Sequence, residues 1–252
     1  SDQTVIYVLN EGFSDPTKLP RLSISEDPIP EIRKIQQEYT SGQMHSDHYG
    51  GGTANMEIQT LTSLPYYNYS PSVSVINLEV VPLLHYLPSI SDSFDPTMRY
   101  VLHPLNAENY QRDKVYTELN FKHQVFQTGT SEKFDNIAYV GNNIGDKTVY
   151  NNALERISTT QSQFFSLITM QGHLPWGLID SSITAEGEGF TESQNNDLLA
   201  YTRLLSNTDT ATREFLDSLQ KIEKKITVVF YGDHLPGLYP SEVFLDNPDS
   251  QF

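Results

Sequence analysis

No cysteine occurs among the 252 residues. That absence removes disulfide scaffolds, thiolate metal sites and cysteine nucleophiles. Positive charge is also scarce: 16 Lys and Arg stand against 32 Asp and Glu, a formal charge of −16. Nucleic acid is excluded as a partner, because binding it needs clustered Lys and Arg to displace counterions. Electrostatic docking on anionic lipid is disfavoured for the same reason. Long apolar runs are missing too. "FFSLITM" (164–170) and "ITVVFY" (226–231) fall far short of the roughly 20 residues that a membrane-crossing helix needs. The opening "SDQTVIYVLN" has neither the basic stretch nor the apolar stretch of a signal peptide. It enters a strand pattern almost at once, so any anchor or export signal is expected upstream.

Four short apolar runs read as buried strands: "TVIYVLN" (4–10), "MRYVLHPL" (98–105), "FFSLITM" (164–170) and "ITVVFY" (226–231). They are continuous rather than alternating, as parallel strands covered on both faces tend to be. Helical patterns lie between them, at 31–39, 52–64, 106–121, 148–158 and 195–222, the last with a break expected near Asn207. The acidic segment 179–196 reads as a surface loop. This alternation predicts an α/β fold, a mainly parallel central sheet with helices on both faces. One domain spanning 1–252 is expected, since no repeat or linker interrupts the chain.

In such sheets ligands bind beyond the carboxyl ends of the strands. The first strand ends at Glu11, the second carries His103, the third runs into "QGHLPWG" with His173 and Trp176, and the fourth ends in Asp233 and His234. Acids and imidazoles thus gather at one edge from distant parts of the chain.

A second unusual stretch is "HSDHYGGGTANMEIQTLTSLP" (45–65). Three glycines precede Thr53 and a helical pattern follows. Glycines allow close backbone approach, and a helix N-terminus presents free N–H groups to an anion. Thr53 is either a simple N-cap or a nucleophile. A hydroxyl needs a base or a metal to attack at neutral pH. Glu11, Thr53, Asp233 and His234 would form an N/O donor set suited to Mn²⁺, Mg²⁺ or Zn²⁺. Arg112 and His173 are candidates for holding phosphoryl oxygens, although Arg112 stands beside Asp113 and an exposed intrahelical pair is the plainer alternative. His45 and His48 read as solvated loop residues. Trp176 is divided between core and site rim. Glu57, one helical turn past Thr53, is expected to support the helix start and not to bind metal.

Together "VIYVLNEGF", "GGGTANMEIQTLTSLP", "HPLNAENYQRDKVY", "ITMQGHLPWG" and "VVFYGDH" resemble the lipoteichoic acid synthase-like phosphoglycerol transferases, within the alkaline phosphatase and sulfatase superfamily. The resemblance covers essentially the whole chain. It implies an extracellular catalytic domain on a Gram-positive bacterial membrane, anchored by a region absent from this chain. It implies one divalent cation, usually Mn²⁺, held by Glu11, Thr53, Asp233 and His234. Thr53 would attack phosphatidylglycerol or a related glycerophospholipid, release diacylglycerol and pass the glycerol phosphate to an acceptor. Arg112, His173, His103 and Tyr110 fall at substrate-contacting positions of the family, with Tyr110 where lipoteichoic acid synthases proper carry Trp.

Three departures qualify this. Gly52 stands where lipoteichoic acid synthases proper have Lys, which would leave that space and charge vacant beside the nucleophile. Gly172 stands where Asn is common. The chain ends 18 residues past His234, where relatives continue, which predicts a domain truncated at its C-terminus. With the acidic surface, the vacancy at Gly52 predicts a neutral cell-envelope glycan or glycolipid acceptor. The alternatives are a phosphodiesterase or phosphatase using the same Thr, and a non-catalytic wall-polymer binding module. A sulfatase nucleophile would need a formylglycine precursor, which "GGGTAN" does not offer.

Overall fold

A computed structural model of the chain describes residues 3–252. In chain order the strands are β1 (Gln3–Asn10), β2 (Leu22–Ile24), β3 (Arg99–Asn106), β4 (His123–Thr128), β5 (Glu132–Lys133), β6 (Tyr139–Val140), β7 (Asn143–Ile144), β8 (Gln163–Ile168), β9 (Ala185–Gly187) and β10 (Lys225–Gly232). The α-helices are α1 (Pro30–Glu38), α2 (Thr53–Thr62), α3 (Ile76–Glu79), α4 (Arg112–Glu118), α5 (Asp146–Leu154) and α6 (Glu192–Gln220). The four expected strands lie side by side in a six-stranded sheet of order β10-β1-β8-β3-β4-β5; β10 is not buried on both faces as expected, since alternate residues along it are exposed. All its ladders are parallel.

Alternation along the strands divides the core into two layers. Val101, Phe126, Phe164 and Ile168 pack with Ile58 and Leu61 of α2 and with Val115 and Tyr116 of α4. Leu102, Val125, Phe165 and Leu167 pack on the other face with Val149 and Tyr150 of α5 and Phe215 of α6. A third cluster joins Ile29 and Ile32 of the α1 region to Leu198, Tyr201 and Leu205 of α6 and to Tyr239, Val243 and Phe244 near the C-terminus. Among the described residues β10 comes last in this order, with its ladder to β1.

The structure differs from the sequence reading in four places. β4 and β5 were not among the expected strands; β4, "HQVFQT", buries only Val125 and Phe126, too short a run to show a period. The segment 179–196 is not all loop, because β9 pairs antiparallel with β2. The stretch 106–121 holds a shorter helix, preceded by left-handed backbone at Tyr110 and Gln111. Finally, α6 runs unbroken past Asn207. Its polar residues there are satisfied: Thr208 donates to Asp146 Oδ2 at 2.7 Å. Asp209 accepts from the backbone N–H of Glu31 at 3.0 Å and of Ile32 at 2.7 Å.

Asp209 thus caps α1 from another helix, because Ile29 at its N-cap offers no side-chain acceptor. Asp209→Ala should lower unfolding stability by about 1–3 kcal/mol, the cost of leaving such donors unpaired. Chemical denaturation checks this; a change within error would show that water replaces the carboxylate.

Candidate active site and metal centre

The β1–β10 ladder ends at the pair Asn10 and Gly232. The next residue on each strand is therefore Glu11 and Asp233, side by side at the carboxyl edge of the sheet. Backbone and side chains hold both. Gly12 N–H donates to Asp233 Oδ1 at 2.8 Å, and Glu11 N–H donates to Thr169 Oγ1 at 3.0 Å. Asn10 Nδ2 donates to the buried Asp146 at 3.0 Å. Gly172 presses against this turn, where a Cβ would fall 2.1 Å from the Glu11 carbonyl oxygen. The missing side chain at 172 is thus a steric requirement of this backbone.

Thr53 is the first residue of α2. It is not the N-cap: Gly52 is, in a left-handed conformation at φ 87°. The Thr53 hydroxyl is left free to face the strand ends. Its Oγ1 lies 2.9 Å from Glu11 Oε2, 2.5 Å from Asp233 Oδ2 and 3.3 Å from His234 Nε2. His234 Nε2 lies 3.3 Å from Glu11 and 3.1 Å from Asp233. The donor atoms of Glu11, Asp233 and His234 all fall within 4.8 Å of one another, and all three residues are buried.

The electrostatics of this cluster ask for a cation. Burial raises the Glu11 pKa, and the Asp233 charge raises it further against the pull of His234. Burial also opposes ionisation of Asp233, but His234, the Thr53 hydroxyl and the Gly12 N–H together hold its pKa below the usual carboxylate range. Burial opposes a charged His234; the two carboxylates overcome it and raise its pKa to about 10. By themselves the side chains therefore keep a proton on His234 between two acids. One hydroxyl hydrogen on Thr53 cannot serve both carboxylates. A divalent ion with N/O ligands fits this set better than a proton.

Across the pocket, His103 is buried. Its Nδ1–H donates to the Ile168 carbonyl at 3.0 Å, and its Nε2 has no partner. Burial first, then the charge of Arg112, pushes its pKa well down. His103 is thus a neutral acceptor aimed into the pocket that it lines. Arg112 lines the same pocket. It is no exposed partner of Asp113: it is buried and paired with Glu57 at 2.9 Å. Its guanidinium carbon lies 5.5 Å from the centre of the Tyr110 ring. Tyr110 and Gln111 both have positive φ, 55° and 51°, and Asn77 Nδ2 donates to the Tyr110 carbonyl at 3.2 Å. Two successive non-glycine residues in that region mark a locally strained turn at the site. His173 and Trp176 complete the rim, with Trp176 Nε1 donating to the Gly172 carbonyl at 2.8 Å.

All eight candidate residues therefore meet at one place, seven lining the pocket and Asp233 beneath it. His45 is exposed, as expected. His48 is not a solvated loop residue. Its Nε2 accepts from Asn55 Nδ2 at 3.0 Å and its ring meets Tyr66 edge-on. It also fills the space beside Gly52, where a Cβ would fall 2.2 Å from the His48 ring. The expected vacancy at Gly52 does not exist. Glu57 does more than support a helix start, and no spacing rule pointed to its partners, because Arg112 and Tyr116 are 55 and 59 residues away.

The sulfatase family model matches residues 3–252. Among solved structures, the Streptococcus pyogenes phosphoglycerol transferase GacH, in complex with sn-glycerol-1-phosphate, is 50% identical with a TM-score of 0.97, covering 100% of this chain and 66% of that one. The lipoteichoic acid synthase LtaP from Listeria monocytogenes shares the fold, at 20% identity and a TM-score of 0.69, over 98% of this chain and 59% of its own. A Rhizobium meliloti (strain 1021) protein assigned to cyclic beta-1,2-glucan modification is 26% identical over 250 residues, 93% of this chain and 36% of its own length. The chain thus spans about a third of that relative and just under two thirds of GacH.

Calorimetry should detect one Mn²⁺ per chain. Binding must displace the proton on His234, whose pKa is about 10. About one proton should be released per ion at pH 7, with affinity falling about tenfold per pH unit on acidification. Asp233→Ala should weaken binding by about a hundredfold or more, beyond the loss usual for an outer-shell change. Equal affinities for the two proteins would remove Asp233 from the ligand set.

Proposed function

We propose, for a chain that belongs to the sulfatase family, metal-dependent transfer of glycerol phosphate from a glycerophospholipid such as phosphatidylglycerol to a cell-envelope glycan or glycolipid. What supports it most is the position of Thr53 Oγ1, within 3.3 Å of Glu11, Asp233 and His234 and on the same pocket as Arg112. The 50% identity to a phosphoglycerol transferase supports the same chemistry. Sulfate-ester chemistry is disfavoured despite the family name, because the nucleophile position is Thr and the chain has no cysteine.

Glu11, Thr53, Asp233 and His234 would hold a divalent cation, Mn²⁺ in preference to Mg²⁺ or Zn²⁺. When bound it would lower the hydroxyl pKa and polarise a phosphoryl oxygen. Asp233 Oδ2, 2.5 Å away, is placed to accept the Thr53 proton. Thr53 Oγ1 attacks phosphorus, the bond from phosphorus to the diacylglycerol oxygen breaks, and that oxygen takes up a proton from water to leave as diacylglycerol. Arg112 and His173 hold the phosphoryl oxygens in this step. His103 Nε2, an obligate acceptor, takes a hydrogen bond from a glycerol hydroxyl, and Tyr110 closes the mouth. An acceptor hydroxyl then loses its proton to water and attacks phosphorus; the bond from phosphorus to Thr53 Oγ1 breaks, and Thr53 takes back the proton held by Asp233.

The acceptor preference rests on charge and on one relative. A surface of net charge −16 repels a polyanionic chain. The Rhizobium protein's assignment to glucan modification favours a saccharide. No described helix is long and apolar enough to cross a membrane. Work on a lipid donor would place the domain at the outer membrane face, held by a region outside this chain. Hydrolysis would share the first step and differ only in accepting water.

Thr53→Ala should reduce donor turnover at least a thousandfold, the scale for losing a covalent nucleophile, while leaving thermal unfolding unchanged. Mass spectrometry of the wild type mixed with donor alone should find glycerol phosphate on Thr53; its absence under turnover would overturn the covalent route. In membranes with labelled phosphatidylglycerol, label should reach a saccharide. Long poly(glycerol phosphate) would refute the acceptor preference, and free glycerol phosphate alone would establish the hydrolase.

A further inference from the structure

Arg112 arrives at the pocket with part of its hydrogen bonding already used. Its Nε donates to Glu57 Oε2 at 2.9 Å, and its Nη2 approaches the same oxygen at 2.9 Å. The other Glu57 oxygen accepts from Tyr116 OH at 2.7 Å, and that hydroxyl lies 2.9 Å from Ser166 Oγ. The Glu57 and Arg112 side chains are only 4% and 3% exposed. Glu57 does not line the pocket, whereas Arg112 does. A guanidinium has five N–H donors. The Nε–H donates to this carboxylate oxygen and Nη2 pairs with it as an ion pair, and no other protein acceptor meets the guanidinium among the described residues.

We infer that Glu57 is a positioning residue: it fixes the Arg112 guanidinium by one edge so that the opposite edge meets the phosphoryl group. This rests on the transfer reading above. Glu57 lies four residues after Thr53 on α2, a rise of about 6 Å. One rigid helix therefore carries the attacking oxygen at its start and the anchor of the phosphate clamp one turn later. The distance between nucleophile and clamp anchor is set within a single element, not across a loop. Correct placement of reacting groups governs much of the rate of such a transfer. The link of Tyr116 to Ser166 on β8 ties the carboxylate to the sheet, so Glu57 cannot turn to follow a mobile Arg112. Because Glu57 does not line the pocket, its charge does not face the incoming phosphate.

The alternative is that Glu57 serves only to neutralise a buried Arg and to hold α2 against α4. A double-mutant cycle separates the two, with calorimetric affinity for sn-glycerol-1-phosphate and donor kcat/KM as readouts. Glu57→Gln, which keeps the shape, should weaken sn-glycerol-1-phosphate binding about tenfold and lower kcat/KM by at least as much. In an Arg112→Ala background the same change should alter either quantity by less than about twofold, because contacts acting through one partner are not additive. It should also raise the thermal midpoint there by relieving an unpaired buried carboxylate. Tyr116→Phe, which keeps the ion pair but releases the carboxylate from the sheet, should weaken affinity by less than Glu57→Gln does. If Glu57→Gln fails to fold, Glu57→Asp, which retracts Arg112 by one methylene, carries the same cycle. Equal losses in both backgrounds, or unchanged affinity in the single variant, would overturn the inference. Wild-type binding of sn-glycerol-1-phosphate, together with no Thr53 adduct and no transfer from the phosphatidylglycerol donor, would sink the transfer reading and leave the positioning role standing.

Discussion

Two carboxylates are forced together by the pairing of β1 with β10. The parallel register that ends at Asn10 and Gly232 leaves Glu11 and Asp233 no choice but to emerge as neighbours. Buried like charges at that distance repel, and either a proton or a cation must intervene. Much of the surrounding architecture answers this one constraint. The Gly12 N–H is spent on Asp233, Thr169 steadies the Glu11 backbone, and His234 leans between the acids. Gly52 then delivers the start of α2, so that Thr53 faces the charged edge and not its own helix.

The pocket therefore has two chemically opposite walls. One is anionic and ligand-rich, supplied by the ends of β1 and β10. The other is cationic or neutral, built from Arg112, His103 and His173. A phosphodiester placed between them would meet the nucleophile on one side and donors on the other. This polarity sets the domain apart from a simple anion-binding cleft, and it is why a hydroxyl beside acids is credible as an attacking group.

The edge that holds the candidate site was legible in the sequence for a physical reason. Parallel strands leave continuous apolar runs, and the polar residue that ends each run marks the rim where ligands bind. Glu11, His103, Asp233 and His234 all fall at or near such ends. Tyr110 was legible only through family resemblance, because a turn with two left-handed residues has no pattern in "ENYQRD". Glu57 and its partners were hidden because their contacts span more than fifty residues. The filling of the space beside Gly52 by His48 was hidden for a related reason: a glycine's neighbours cannot be read from its own position. The unbroken α6 shows the same limit, since Thr208 and Asp209 look like helix breakers until their buried partners are known.

β10 supplies Asp233 and leads directly into His234, and its ladder with β1 is the seam on which the donors stand. Local opening of such a seam can expose a segment without global unfolding. In this fold, fraying of β10 at its carboxyl end would pull two donors away from Glu11 at once. A cation bound across the β1–β10 seam would then act as a clasp on the two strands. Occupancy of the centre and protection of the β10 amides from solvent exchange would rise and fall as one equilibrium.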